Sequence, residues 1–186
     1  MRMEKCISTQ TNEYVITYGV KLFLLENSWD VIAYNPPGSQ GTFTIPNPSK
    51  DGSEKGQTGS ESPDIVAVKD GYVLIVECKP KFDLVDSQKL KRLSKNELKM
   101  EVLDMLIRRV CKANEIPLPR ELNYIYALAY QGDPHSVGAL GFINVEVAQE
   151  FDIRTITARN DFKKYFKARI TPASDWEAEA LSLFKN

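Results

Sequence analysis

Two acidic residues and a lysine lie at the outer ends of a short apolar hairpin, at a spacing that suits metal-assisted hydrolysis. Two apolar runs flank Asp70-Gly71, which is typical of a two-residue type I′ turn because both central residues need positive φ. Counting outward from that turn places Asp64 directly opposite Glu77. Lys79 follows two residues after Glu77 and points to the same face, since side chains alternate along a strand.

Opposed carboxylates of this kind need a compensating positive charge. Directly opposed Cβ atoms lie about 4.5 to 5.5 Å apart, and like charges placed there destabilise the sheet. A hard divalent cation removes the repulsion, because Mg²⁺ is commonly held by one or two carboxylates with waters and substrate phosphates. A neighbouring lysine would help to orient a metal-bound water as the ammonium, or to deprotonate it as the neutral amine. The alternative interpretation is an ion cluster at a sheet edge, in which Lys79 only balances Asp64 and Glu77.

The first element that must position these residues is an amphipathic helix. Residues 9–26 repeat apolar side chains at helical spacing, with Ser8, Thr9 or Thr11 as the cap. Glu26 extends the predicted buried stripe and lies near the helix C-terminus, where a carboxylate is unfavourable. Such local conflicts concentrate at functional sites. Glu26 is therefore a further candidate site residue, with a solvated helix end as the alternative.

The rest of the chain predicts a sheet of about five strands flanked by helices. Residues 29–34 form the first strand, the hairpin supplies two more, and residues 122–130 and 140–147 supply the fourth and fifth. One long helix, or two joined near residues 94–96, makes the crossover into the fourth strand, so that strand is parallel to its neighbour. Residues 35–62 form a long irregular connection, which is typical of a functional or mobile loop.

The length predicts one domain. A chain of 186 residues can bury a substantial core, and no linker marks a boundary. We expect a core over about residues 9–147 and a C-terminal helical extension over 148–186. Within that extension, residues 151–157 are a short strand or an extended arm, and residues 161–167 and 174–184 are helical.

Composition argues against several classes of protein. The formal net charge of -1 does not by itself indicate a nucleic-acid binder, so any basic surface must be local. The 3 cysteines lack CxxC spacing, which argues against a disulfide framework or a zinc site and favours a reducing cytoplasm. No signal-type segment begins the chain, and no apolar run approaches the roughly 20 residues that span a bilayer. We expect no membrane association.

A basic run begins at the end of the third strand and continues into the following helix. Lys81, Lys89 and Arg92 belong to it and are candidates for contacts with DNA phosphates. A solvated helix face is the alternative explanation for the same run.

Pro63-Asp64 and Glu77-Cys78-Lys79 on adjacent strands, after a helix that ends in an acid, resemble the PD-(D/E)xK nuclease superfamily. The resemblance covers roughly residues 9–130. It implies an α/β, restriction-endonuclease-like fold with a mixed central sheet flanked by helices. It also implies Mg²⁺ as the cofactor, with Mn²⁺ as a substitute.

Carried over residue by residue, the resemblance implies Asp64 and Glu77 as metal ligands, with the backbone carbonyl of Cys78 as a further ligand. Lys79 would position or activate the attacking water. Glu26 would match the acid that many members place on their first core helix.

The length and motif layout further resemble the small catalytic subunit of heterodimeric type IIS restriction endonucleases. This resemblance implies a double-stranded DNA substrate and a larger DNA-recognising, nicking subunit as the partner. Two alternatives stay open: a repair or recombination nuclease acting as a resolvase-like homodimer, and an inactive nuclease-fold module that only binds a partner or DNA.

Overall fold

The chain folds as an α/β structure in which helices flank both faces of an open mixed sheet. The computed structural model describes residues 12–39, 43–48, 59–131, 141–147 and 153–158. The predicted helices over 161–167 and 174–184 lie outside these ranges. In chain order the elements are α1 (Glu13–Glu26), β1 (Asp30–Tyr34), β2 (Ile65–Lys69), β3 (Tyr72–Lys79), α2 (Leu84–Lys95), α3 (Glu97–Ala113), β4 (Asn123–Gln131), β5 (Gly141–Val147) and β6 (Ile153–Ala158).

The strands follow one another across the sheet in chain order, from β1 to β6. The β1–β2, β2–β3 and β5–β6 pairs are antiparallel, whereas β3–β4 and β4–β5 are parallel. The crossover through α2 and α3 confirms the predicted parallel pairing of the strands on either side of it. Within the described ranges the sheet has 6 strands, against about five predicted, because residues 153–158 pair with β5 as a further strand.

The hairpin has the predicted register. Lys69 pairs with Tyr72, and the pairing continues outward to Ile65 opposite Val76. Both turn residues have positive φ, 49° at Asp70 and 81° at Gly71, as a type I′ turn requires. The two-residue turn therefore sets which side chains of β2 and β3 share a face.

One face of the sheet is covered by α1. Asn12 caps this helix, since its side chain accepts the N–H of Tyr14 at 3.0 Å, so the predicted cap at Ser8, Thr9 or Thr11 is wrong. The buried residues of α1 pack against alternate residues of β3. Those β3 residues are Leu74, Val76 and Cys78.

The opposite face is covered by α2 and α3, which are two helices because Asn96 separates them. Asn96 ends α2 and caps α3, with its side chain accepting the N–H of Lys99 at 3.0 Å. Leu90 and Leu93 of α2 are buried with Val73 and Ile75 of β3. None of the helices in the described ranges is both long and apolar enough to cross a membrane.

Part of the predicted irregular connection is built into the core. Phe43 and Ile45 are buried on the α2–α3 face, and Ile45 forms an antiparallel bridge with Glu61. Residues 40–42 and 49–58 of this connection lie outside the described ranges.

Candidate active site

Asp64 and Glu77 come together at the end of the hairpin away from the turn. The β2–β3 ladder ends at Ile65 and Val76, so Asp64 lies just outside β2 while Glu77 lies within β3. The Asp64 carboxylate reaches β3 and accepts the N–H of Cys78 through Oδ2 at 2.6 Å. Glu77 is only 3% exposed and experiences the negative charge of Asp64. The structure thus brings the two predicted acids together, although Asp64 caps a backbone N–H instead of joining the ladder.

Burial raises the pKa values of both carboxyl groups, so that they hold their protons to a higher pH than usual. Loss of solvation raises the pKa of Glu77 to about 7; the ammonium of Lys89 opposes this rise and the charge of Asp64 adds to it. Loss of solvation likewise raises the pKa of Asp64 to about 6, against the opposing effects of the Cys78 N–H and the Lys79 ammonium. A bound cation would stabilise the charged forms of both acids, so this environment favours the binding of a cation.

Lys79 extends from the end of β3 to the start of α1. Its Nζ donates a hydrogen bond to Oε1 of Glu13 at 2.9 Å. Burial by itself lowers the pKa of Lys79, but the hydrogen bond and charge of Glu13, with the charges of Asp86 and Asp64, raise it above its ordinary value. Lys79 is therefore protonated at neutral pH. This state suits it to orient a ligand or stabilise negative charge, and not to abstract a proton.

Glu26 lies at the opposite end of α1 from Glu13. At a rise of 1.5 Å per residue, the two ends of this helix are separated by roughly 20 Å. The C-terminal end lies beside the hairpin turn, where Lys69 Nζ donates to the Asn27 carbonyl at 2.6 Å. The structure does not bring Glu26 to the acid pair. Its predicted burial is wrong, because the last turn of α1 buries Phe23 and leaves Glu26 exposed.

Helix α2 brings a lysine and a further acid to the site. Lys89 Nζ donates to Oε1 of Glu77 at 2.7 Å, so this lysine, predicted to contact DNA, is paired with a buried acid. Asp86 is 9% exposed, and its Oδ2 has no hydrogen-bond partner among the described residues. Burial raises the pKa of Asp86, and the charges of Lys79 and Lys89 oppose that rise. We call the following six residues the acid cluster: Glu13, Asp64, Glu77, Asp86, Lys79 and Lys89.

The acid cluster offers the oxygen donors that Mg²⁺ prefers. Because the N–H and C=O of a strand residue lie on the same edge, the Cys78 carbonyl faces the side on which Asp64 accepts the Cys78 N–H. The Cys78 side chain is buried on the α1 face, and burial raises the pKa of its thiol. No three His, Cys, Asp or Glu side chains in the described ranges converge as a metal site. Asp64, Glu77 and a carbonyl with waters are still a donor set that suits Mg²⁺.

An open cleft of about 710 Å³ lies on the Lys79 side of the acid cluster. Asp64 and Glu77 are not among the described residues that line it. Lys81 lies in its wall and is exposed, and Arg92 is exposed on α2, so both remain available for phosphate contacts. The described lining residues are Asn12, Glu13, Pro37, Lys79, Pro80, Lys81, Phe82 and Asp83.

Sequence reasoning missed three members of the acid cluster: Glu13, Asp86, and Lys89 as the partner of Glu77. The sequence does carry a signal for Asp86, because Asp83 is a residue type that favours the N-cap and Asp86 follows it within one turn. In the structure Asp83 caps α2 by accepting the N–H of Val85 at 2.7 Å. A helix that follows a strand closely begins near that strand's end, so acids in its first turn fall beside the strand end. No comparable signal indicates which end of α1 faces the site.

No protein-family model, curated protein or solved structure matches this chain.

Proposed function

We propose that the chain is a metal-dependent nuclease that hydrolyses phosphodiester bonds in double-stranded DNA. The observation that carries the proposal is the juxtaposition of the buried Glu77 carboxylate and the half-buried Asp64 carboxylate, with protonated Lys79 nearby. Burying two like charges is unfavourable unless they are protonated, paired with opposite charges or bound to a cation. A metal ion with a phosphate group would engage the carboxylates and the ammonium together.

The fold supports the proposal. An antiparallel hairpin leads through a helical crossover into a parallel strand, with α1 on one face and α2 and α3 on the other. This is the layout expected of the restriction-endonuclease-like fold. Pro63-Asp64 and Glu77-Cys78-Lys79 lie at adjacent strand ends, as the resemblance to PD-(D/E)xK nucleases requires.

Each residue of the proposed site has a distinct part. Asp64 and Glu77 would hold Mg²⁺, or Mn²⁺ in its place, with the carbonyl of Cys78 as a further donor. When bound, the ion would polarise the phosphodiester and lower the pKa of a water. Lys79, whose pKa Glu13 raises, would stabilise negative charge on the reacting phosphate.

Substrate binding would use exposed basic residues outside the acid cluster. Lys81 and Arg92 are suited to contact backbone phosphates, which position a duplex but do not read its sequence. One acid cluster would cut one strand. We therefore assign sequence recognition and cleavage of the other strand to a larger partner subunit, as in heterodimeric type IIS restriction endonucleases.

Plasmid cleavage tests this function. The purified chain with Mg²⁺ is incubated with supercoiled plasmid, alone and with the product of the adjacent reading frame. We expect linearisation only in the mixture, and nicking by the partner alone when this chain carries Glu77→Gln. The same variant checks that no contaminating nuclease is responsible.

Two other experimental outcomes would identify a different function. A stable homodimer that cuts branched DNA unaided would identify a repair or recombination nuclease. If neither Mg²⁺ nor Mn²⁺ binds in calorimetry and no cleavage occurs, the chain is a binding module with an inactive nuclease fold.

A further inference from the structure

Asn35 follows β1 directly and fastens the segment that carries Asp64. Its side-chain Nδ2 donates to the Pro63 carbonyl at 2.8 Å and to the Phe43 carbonyl at 3.1 Å. Its backbone N–H donates to the Asp64 carbonyl at 2.8 Å. Asn35 is 7% exposed, so these hydrogen bonds form away from bulk water. One buried residue thus binds the two peptide groups that flank the Cα of Asp64.

The Pro63 carbonyl takes a side-chain donor because the main chain that follows β1 has no N–H for it beyond that of Asn35, which is used by the Asp64 carbonyl. The β1–β2 ladder ends at the residue before Asn35, and the next two residues, Pro36 and Pro37, have no N–H. Pro63 is buried, and a buried carbonyl requires a donor. The Asn35 amide therefore continues the ladder where the main chain of β1 cannot.

Asp64 is then held from two sides. Asn35 fixes its main chain against β1, and the Cys78 N–H fixes its carboxylate against β3. We propose that Asn35 is the positioning residue for the Asp64 carboxylate, directing it to β3 so that it can share a ligand with Glu77. The inference deepens the proposed nuclease function, and its structural part can be tested independently of that function.

The chain offers two matched controls. Thr44 Oγ1 and Ser62 Oγ lie 2.8 Å apart, and this hydrogen bond joins the segments that carry Phe43 and Pro63. Thr44→Val removes that hydrogen bond at constant size. Asn27 is 2% exposed and donates through Nδ2 to a backbone carbonyl at 2.8 Å, but it lies at the hairpin-turn end of α1. Asn27→Leu therefore repeats the chemistry of Asn35→Leu away from the site.

The first readout is the Cys78 amide in a ¹H–¹⁵N spectrum of the full chain without metal. Its short hydrogen bond to Asp64 should move its proton downfield in the unaltered protein. We expect Asn35→Leu to abolish this shift, and Thr44→Val and Asn27→Leu to retain it. An unchanged Cys78 amide in folded Asn35→Leu would overturn the inference, as would an equal change in Asn27→Leu.

The second readout is calorimetric titration with Mg²⁺ alone. We expect Asn35→Leu to weaken binding by about 10- to 100-fold, as is usual when a partner that orients a metal ligand is lost, and the two controls to bind normally. If the unaltered protein binds no Mg²⁺, the proposed function fails while the Cys78 amide still decides the role of Asn35.

A milder variant covers the case in which Asn35→Leu does not fold. Asn35→Ser keeps one short hydroxyl donor and leaves the two carbonyls with fewer partners. We expect a partial loss of the Cys78 shift and an intermediate Mg²⁺ affinity. Values equal to those of the unaltered protein would overturn the inference.

Discussion

The Glu13 carboxylate lies 2.9 Å from the Lys79 ammonium, although the two residues are 66 positions apart in the sequence. This ion pair joins the first turn of α1 to the end of β3. The N-terminal end of α1 therefore lies beside Lys79, and the charge of Glu13 helps to raise the pKa of that lysine.

Glu13→Gln should lower cleavage by about 10- to 100-fold, the usual cost of losing a partner that orients an active-site group. The pKa of Lys79 should fall, because burial alone lowers it and Glu13 is the principal opposing influence. Plasmid cleavage rates and the ¹⁵Nζ titration of Lys79 measure the two effects. Glu26→Gln is the matched control, since it alters the same residue type at the far end of the same helix. Equal losses in both variants would contradict the assignment.

Asp64→Asn and Glu77→Gln should each abolish Mg²⁺ binding and reduce cleavage by more than about 100-fold. Loss of a group that only orients a metal ligand costs about 10- to 100-fold, and loss of the ligand itself should cost more. Both should raise the stability of the metal-free protein, since each removes a charge that burial disfavours. Calorimetry and urea denaturation check these outcomes. Glu101→Gln, an exposed position on α3, should change neither quantity.

The metal-free protein should lose stability as the pH rises from about 4 to about 7. The pKa values of Asp64 and Glu77 are raised by folding to about 6 and about 7, so the folded state holds protons that the unfolded state has released. The stabilising contribution is complete below the unfolded values and is lost as the pH passes the folded ones. We expect each of the two acids to contribute a loss of roughly 3 kcal/mol in the unfolding free energy.

Urea denaturation between pH 4 and pH 8 measures this loss. The difference between the unaltered protein and Glu77→Gln isolates the contribution of Glu77 from that of the other acids. Saturating Mg²⁺ should restore stability above pH 7. A difference that does not vary with pH would contradict the raised pKa of Glu77.

Lys89→Met should raise the pKa of Glu77 beyond about 7, because the Lys89 ammonium is the main influence that opposes the effect of burial. Carboxyl ¹³C titration of Glu77 measures it directly. Lys91→Met is the control, since Lys91 is exposed on the same helix. A Glu77 titration that is the same in all three proteins would show that Lys89 does not act on this acid.

Gly71→Ala should destabilise the fold more than Gly38→Ala. The φ angles of the two residues are nearly equal, 81° and 82°, so alanine is strained by roughly 1 to 2 kcal/mol at either position. At Gly71 a Cβ would also lie 2.9 Å from Cγ of Pro119, whereas at Gly38 none of the described residues has an atom within 4 Å of it. Urea denaturation of both variants separates the cost of backbone strain from the cost of the contact with Pro119. Equal losses of unfolding free energy would show that Pro119 moves aside freely.

Features that depend on short-range rules could be predicted from the sequence. The hairpin register follows from Asp70-Gly71, because a two-residue turn fixes every pair beyond it. The parallel pairing of β3 with β4 follows from the helical crossover between them. The register also predicts that Asp64 and Glu77 lie at the same end of the hairpin, although Asp64 lies just beyond the ladder and accepts the Cys78 N–H.

Features that depend on how elements pack could not be predicted in this way. The pattern of α1 shows that the helix is apolar, but the end that meets the acid pair depends on how the helix lies across the sheet. The sequence therefore points to Glu26, whereas Glu13 is the acid of α1 that lies beside Lys79. The pairing of Lys89 with Glu77 likewise depends on the position of α2. A run of basic residues has the same sequence spacing whether it faces solvent or lies beside a buried acid.

The chain order of the sheet has a consequence for synthesis on the ribosome. Glu13, Asp64, Glu77 and Lys79 all emerge before β4, yet β3 is enclosed only when β4 pairs with it. Parallel pairing across a long helical crossover is slow, because the entropy of closing the connection must be overcome first. A nascent chain therefore carries both acids of the proposed metal site while β3 is still an open edge. The proposed nuclease centre would mature only after the second half of the domain has been made.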